Sequence, residues 1–359
     1  MKINKLEYYY RTISIFIIFI FLLIFFFSTG KVNAKSFEIN NIEISKPFKI
    51  EFSKIKVIDE GFRKAFNELI LLIISSSDQK KINDIKLNEI KFLIESFSIK
   101  EERFINEVYY LNLGVSFNRK KVFKFLEKKN IFPSIPNKNK LLYLPIIIEE
   151  NKKNLFIFTN NMIFQEWNNN KENYHLIEYV LPSEDLEDLV TIKKRYEILE
   201  QYDFKDIISK YYLKDAIISL IFKNKKKVRV LSRISIKNDI FLKNRSFSNL
   251  NLNEIKDVNQ IIKELKIDFE DYWKNINKIN TSIKLPLRIK IDSSNEIKIS
   301  NFEKILEETD LIYDFSINRF DNNYIIYEII YNGSPDIFLS SMSEKNFNFD
   351  IQEKDWVLK

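Results

Sequence analysis

The chain has 359 residues with 57 basic and 50 acidic side chains, a formal net charge of +7 and no cysteine. Disulfides, thiolate nucleophiles, thiolate metal sites and lipid attachment through cysteine are therefore closed to it. A chain of this length exceeds one hydrophobic core, so two or three domains are expected.

The N-terminus reads in three zones. Lys2, Lys5 and Arg11 precede an apolar run over residues 13–27, and Ser28, Thr29 and Gly30 then lead to Val32, Asn33 and Ala34. Positive, hydrophobic and small-residue zones in that order predict a secretory signal over residues 1–34, cut between Ala34 and Lys35. Fifteen helical residues cover about 22 Å, short of the ~30 Å hydrocarbon core. The alternative is an uncleaved anchor over residues 8–29, with Tyr8, Tyr9 and Tyr10 at the headgroups and the chain tethered to the inner membrane. Both readings export the remaining residues, and an exported chain without cysteine suits the bacterial periplasm. Without its first 34 residues the chain carries 53 basic and 49 acidic groups. Nucleic-acid binding needs a clustered basic face rather than this mild excess, and none is expected.

The rest predicts a mixed α/β (α+β) chain of three small βαββ-type modules with mixed or antiparallel sheets, at residues 37–132, 138–248 and 253–359. In the first, Phe62, Ala65, Phe66, Leu69, Ile70 and Ile73 recur at helical steps over residues 59–74, and a second helix is expected over 87–95. Phe97 and Ile99 alternate with polar neighbours, residues 105–107 turn, and Tyr109, Leu111, Leu113, Val115 and Phe117 mark the return strand. Asn118 then caps a helix that Pro133 helps to stop.

In the second module, residues 141–148 form a short apolar run, the pattern of a buried strand, with 155–158 returning beside it and 176–181 as a further strand. Ser183 is expected to cap a helix whose first turn holds Glu184 and Asp185. A helix over 204–212 and strands over 216–222 and 228–236 follow. The third module opens with a helix over 258–275, striped by Ile261, Ile262, Leu265, Phe269, Tyr272 and Trp273. A strand over 283–291, a helix behind Ser300, a hairpin of 312–320 with 324–331, a helix begun by Ser334 and Pro335, and short strands over 347–351 and 356–358 make a βαββαβ unit.

Catalytic supply is thin. His175 is the only histidine, so no histidine pair can hold a metal, and it is read as structural or solvated. Glu149 with Glu150, and Glu184, Asp185, Glu187 and Asp188, read as solvated or dipole-pairing carboxylates. Only Gly61, Gly114 and Gly333 follow the signal, so no glycine-rich phosphate loop exists and no cofactor is expected. Two partner-binding candidates remain. Lys223, Lys225, Lys226 and Lys227 form a basic run suited to a solvated turn or to an anionic lipid or acidic partner. Trp167, beside Asn168, Asn169 and Asn170, suits a half-buried loop position or a partner anchor.

Eight stretches carry a family resemblance: VIDEGFRKAFNELI from Val57, FSIKEERF followed by YYLNLGVSF, KLLYLPIIIE from Lys140, YVLPSEDLEDLVTI from Tyr179, DYWK, YNGSPDIFLSSM and DWVLK. In order and spacing the chain resembles the proteobacterial family named for domain of unknown function 2066. That resemblance implies an exported envelope protein and supplies no catalytic residue. The expected function is a non-enzymatic periplasmic scaffold or adaptor for an envelope protein, with a cell-wall glycan-binding protein or hydrolase as the alternative.

Overall fold

A computed structural model of the chain describes residues 36–169, 175–224, 227–309 and 311–359. The signal or anchor segment, the Ala34–Lys35 junction, Lys225 and Lys226 lie outside the described residues. Among the described residues no helix is long and apolar enough to cross a membrane. Residues Phe37–Lys359 form one compact unit, built on three sheets, each with its own buried cluster.

The first sheet has the order β1-β3-β2, with β1 Ser36–Pro47, β2 Ile94–Ile105 and β3 Val108–Asn118. Helices α1 (Lys54–Ile73), α2 (Ser76–Gln79), α3 (Leu87–Leu93) and α4 (Arg119–Lys128) accompany it. The predicted stripe of α1 is buried, joined by Val57 and Gly61, and it packs on Leu111, Leu113, Val115 and Phe117. A methyl group on Gly61 would collide with the Leu113 side chain, so glycine there lets helix and sheet approach closely. Asn106 and Glu107 both adopt positive φ, the geometry of a two-residue turn that matches the twist of β2 and β3. The second helix stops two residues before its predicted end, because Ile94 already pairs with Phe117.

The central sheet has the order β5-β4-β7-β8-β9, with β6 also on β4. Its strands are β4 (Asn139–Glu149), β5 (Asn154–Phe156), β6 (Ile177–Val180), β7 (Ala216–Asn224), β8 (Lys227–Ile236) and β9 (Asp239–Ser248). Strand β4 runs parallel to both β6 and β7, and β7, β8 and β9 are antiparallel neighbours. Both faces of β4 are covered, which is why its sequence is an unbroken apolar run. Leu144, Ile146 and Ile148 meet the side of helices α6 (Leu186–Lys194) and α7 (Lys205–Ser209). Leu141, Tyr143 and Ile147 meet α5 (Met162–Glu166) and α8 (Ile255–Ile276).

One edge of β4 is shared by β6 at residues 139–142 and β5 at residues 147–149, which leaves an interval between them. Pro145 sits in that interval. It has no N–H to satisfy, and its carbonyl accepts from the Asn161 amide at 3.0 Å.

Two expectations are corrected here. Helix α6 is capped by Asp185, whose carboxylate accepts from the Glu187 and Asp188 amides, and not by Ser183, whose own amide donates to Tyr211 Oη. Helix α8, placed by chain order at the head of the third module, packs its stripe on the central sheet against Tyr143, Ile217 and Val230.

The third sheet has the order β11-β12-β10-β14-β13, from β10 (Leu285–Asp292), β11 (Ile312–Phe320), β12 (Tyr324–Tyr331), β13 (Phe349–Asp350) and β14 (Trp356–Leu358). Helices α9 (Glu296–Glu308) and α10 (Pro335–Ser343) supply Phe302, Leu306, Phe338 and Met342 to its core. Asn295 caps α9 through the Lys298 amide, starting it a turn earlier than Ser300 would. The class is thus α+β, with one three-stranded and two mixed sheets.

Phe269 of α8 is fully buried among Tyr143, Trp167 and Tyr179. Phe269→Ala is expected to lower the unfolding free energy by about 3–5 kcal/mol, read by urea denaturation, because the surrounding rings cannot close the cavity. A loss under about 1 kcal/mol would show that α8 does not seal the central core.

Candidate functional site

The described residues carry two places where chemistry-bearing side chains meet an open surface. One is a cleft at the amino ends of β4 and β6, and the other is the free edge of β9.

The cleft holds about 450 Å³ and is lined by Lys138, Lys140, Asn168, His175, Tyr179 and Lys266 among others. Its floor comes from α8, where Lys266, Glu270 and Lys274 repeat every four residues and are all buried. Glu270 accepts from the amides of Leu176 at 3.1 Å and Ile177 at 2.9 Å, so its carboxylate fixes the entry of β6. Burial raises the pKa of Glu270, while those amides and Lys274 draw it back down. Lys274 donates to the Leu71 carbonyl of α1, and burial lowers its pKa. The Lys266 ammonium lies 5.5 Å from the centre of the Trp167 ring and 5.9 Å from that of Tyr179, in cation–π range.

His175 lies at the wall of this cleft, and burial with Lys266 and Lys274 pushes its pKa down to about 4. At neutral pH the lining therefore sets a neutral imidazole beside the Lys138, Lys140 and Lys266 ammonium groups and the Glu178 carboxylate, which pairs with Lys140 at 3.2 Å.

The other residues singled out from the sequence do not converge. Trp167 is fully buried and stacked on Tyr143 at 3.8 Å, so it offers no face to a partner or a sugar, and Trp273 is buried with its indole N–H donating to the Asn137 carbonyl at 2.7 Å. Asp185 and Asp188 both receive the Lys210 ammonium, at 2.9 and 2.6 Å, and Glu184 accepts from the Thr159 amide. Glu149 pairs locally with Lys152. Among the described residues no group of three or more histidine, aspartate or glutamate side chains could hold a metal.

The second place was not foreseen, because β9 had no predicted strand. It pairs with β8 over its whole length without a register shift, from Ile236↔Asp239 to Lys227↔Ser248, and among the described residues nothing pairs with its other side. Alternate residues face α8. Phe241 stacks on Tyr272 at 5.0 Å, Lys243 approaches Asp268 at 3.8 Å, Arg245 binds Glu264 and Asp268, and Phe247 is buried. The opposite face leaves Ile240 68% and Leu242 55% exposed. Beside them, Arg229 and Arg233 on β8 reach Glu200 and the Tyr202 carbonyl. Of the predicted lysines, Lys223 donates to Asn253, and Lys227 is exposed opposite the end of β9. The signal that could have found this strand is the Lys237–Asn238 pair, both at positive φ, which forms the two-residue turn between β8 and β9.

No family model and no curated protein matches this chain.

The depressed pKa of His175 sets a direction for stability. The unfolded chain takes up this proton near pH 6.5 and the folded chain only near pH 4, so acidification between those values favours unfolding, and the loss levels off below pH 4. From pH 6.5 to 5 the contribution is on the order of 1 kcal/mol, after discounting for the partly open site. Urea denaturation at both pH values should show His175→Asn losing less stability than the parent chain. An identical loss would mean that the imidazole titrates alike in the folded and unfolded chain.

Proposed function

We propose that this chain is an exported, non-enzymatic scaffold of the bacterial cell envelope that docks an acidic, extended segment of another protein along β9. The observation that carries the reading is the outer edge of β9. It is ten residues long, regular in pairing and fastened to α8 on one face, with Ile240 and Leu242 left outward on the other. An unpaired edge of regular register favours strand addition, in which main-chain hydrogen bonds supply affinity and alternate side chains supply specificity. Lys227, exposed at the end of the same hairpin, favours carboxylates on the incoming strand.

Export is supported by Lys2, Lys5 and Arg11 ahead of the apolar run and by the small residues up to Ala34. Under this reading the partner is an envelope protein, and α8 serves to hold the docking edge rigid.

A photo-crosslinking residue placed at Leu242 of the full chain in its host should yield one adduct of defined mass. The same residue at Ile297, which is 77% exposed on α9, should yield none. The trapped peptide should be rich in carboxylates and alternate apolar with polar residues, and Ile240→Asp should remove the adduct. Equal labelling at the two positions, or none at Leu242, ends this reading.

A further inference from the structure

We propose that β2 pairs with β2 of a second copy of this chain, antiparallel about a two-fold axis between Lys100 and Glu101, to form one continuous six-stranded sheet. The proposal rests on β2 alone and stands whatever occupies β9.

Strand β2 is an outer strand of the first sheet and is exposed along nearly all of its twelve residues. Helices cover one face of that sheet only. Phe97 lies opposite Val115 and touches Phe62 of α1, and Ile99 lies opposite Leu113, so both point to the helix side. Ser98 lies opposite Gly114, and the end of the Lys100 side chain lies over that same glycine, so both point to the open side. The register then shifts between Ile99 and Glu101, which adds Lys100 as an extra residue. Beyond the shift, Glu101 and Arg103 pair with each other at 2.9 Å on the open side. Glu102 bonds Lys54 and Tyr109, and Phe104 packs on Phe48, both on the helix side.

The order of faces from Phe97 to Phe104 is thus helix, open, helix, open, open, helix, open, helix. That order is a mirror image about the Lys100–Glu101 bond. A regular strand is symmetric only about a residue, which in a self-pair meets its own copy; the bulge moves the centre to a bond, so that Lys100 meets Glu101. An antiparallel self-pair requires this symmetry, because each residue must meet one that points to the same side.

Two of the four kinds of pair are complementary, the Lys100–Glu101 charges and the Phe97–Phe104 rings. Lys100 meets Glu101 of the second copy, twice by symmetry. Phe97 meets Phe104 twice, on the side covered by α1. Ser98 meets Arg103 twice, and Ile99 meets Glu102 twice. Phe97 and Phe104 are 49% and 57% exposed in the single chain, an unusual allocation for aromatic rings on an unpaired edge, and the self-pair covers them.

Charge reversal tests the register. In the full chain, held in a mild detergent and followed by sedimentation velocity, the parent protein should be a reversible dimer. Lys100→Glu sets carboxylate against carboxylate at both symmetric contacts, and Glu101→Lys sets ammonium against ammonium there. Either change should weaken dimerisation on the order of tenfold or more. The double variant restores opposite charges and should return to within about threefold of the parent. Both side chains are exposed, so thermal unfolding of the folded monomer should not move, and should one single variant fail to fold, the other poses the same question. A parent chain that stays monomeric overturns the proposal. So does a dimer indifferent to the single reversals, or one that the double variant leaves as weak as they do.

Discussion

Helix α8 is the constraint on which the central part of this protein depends. Its apolar stripe, from Val258 to Trp273, closes one face of the central sheet, and three buried charged residues on the same helix are tied to three other elements. Glu270 holds the entry of β6, Lys274 reaches the last turns of α1, and Lys266 lies against Trp167 and Tyr179. Asp271 adds a fourth tie by accepting from the Ser76 amide and hydroxyl at the start of α2. Burying such charges costs several kcal/mol per ion unless each is matched by hydrogen bonds or an opposite charge. Here the match is largely main chain, so the charges fix where neighbouring segments sit more than they add net stability.

That arrangement explains why His175 is poised as it is. Burial strips water from the imidazole, and Lys266 and Lys274 add repulsion to its charged form, so its basicity falls. The Glu270 carboxylate is held by the backbone amides of the two residues that follow His175.

Much of the fold was legible because its period is physical. The stripes of α1 and α8 are what a one-sided amphipathic helix must show, and the apolar run of β4 is what a strand covered on both faces must show. The partner of a stripe is not legible in the stripe itself. Helix α8 follows the central sheet and precedes the third in the chain, and its Phe269 and Trp273 would suit either core. Trp167 misled for a related reason. The asparagines after it read as surface, yet α5 turns its indole inward onto Tyr143. Lys266, Glu270 and Lys274 look like the solvated face of a helix until the entry of β6 and the end of α1 are placed over them.

Strand β9 was invisible because its allocation of residues is inverted. On an ordinary half-exposed strand the apolar residues point in and the charges point out. In β9 the inward positions include Lys243 and Arg245, which meet the acidic residues Glu264 and Asp268 of α8, while Ile240 and Leu242 point to solvent. The pattern therefore fails the test for a strand although the backbone pairs without a flaw. The inversion also has a mechanical consequence. Salt links and the Phe241–Tyr272 stack hold the strand to its helix from the inner side, which leaves the outer row free to be covered without loosening the sheet. Strand β2 reaches a similar end by another route, since its bulge sets two charges side by side on the open face and turns its aromatic residues toward α1.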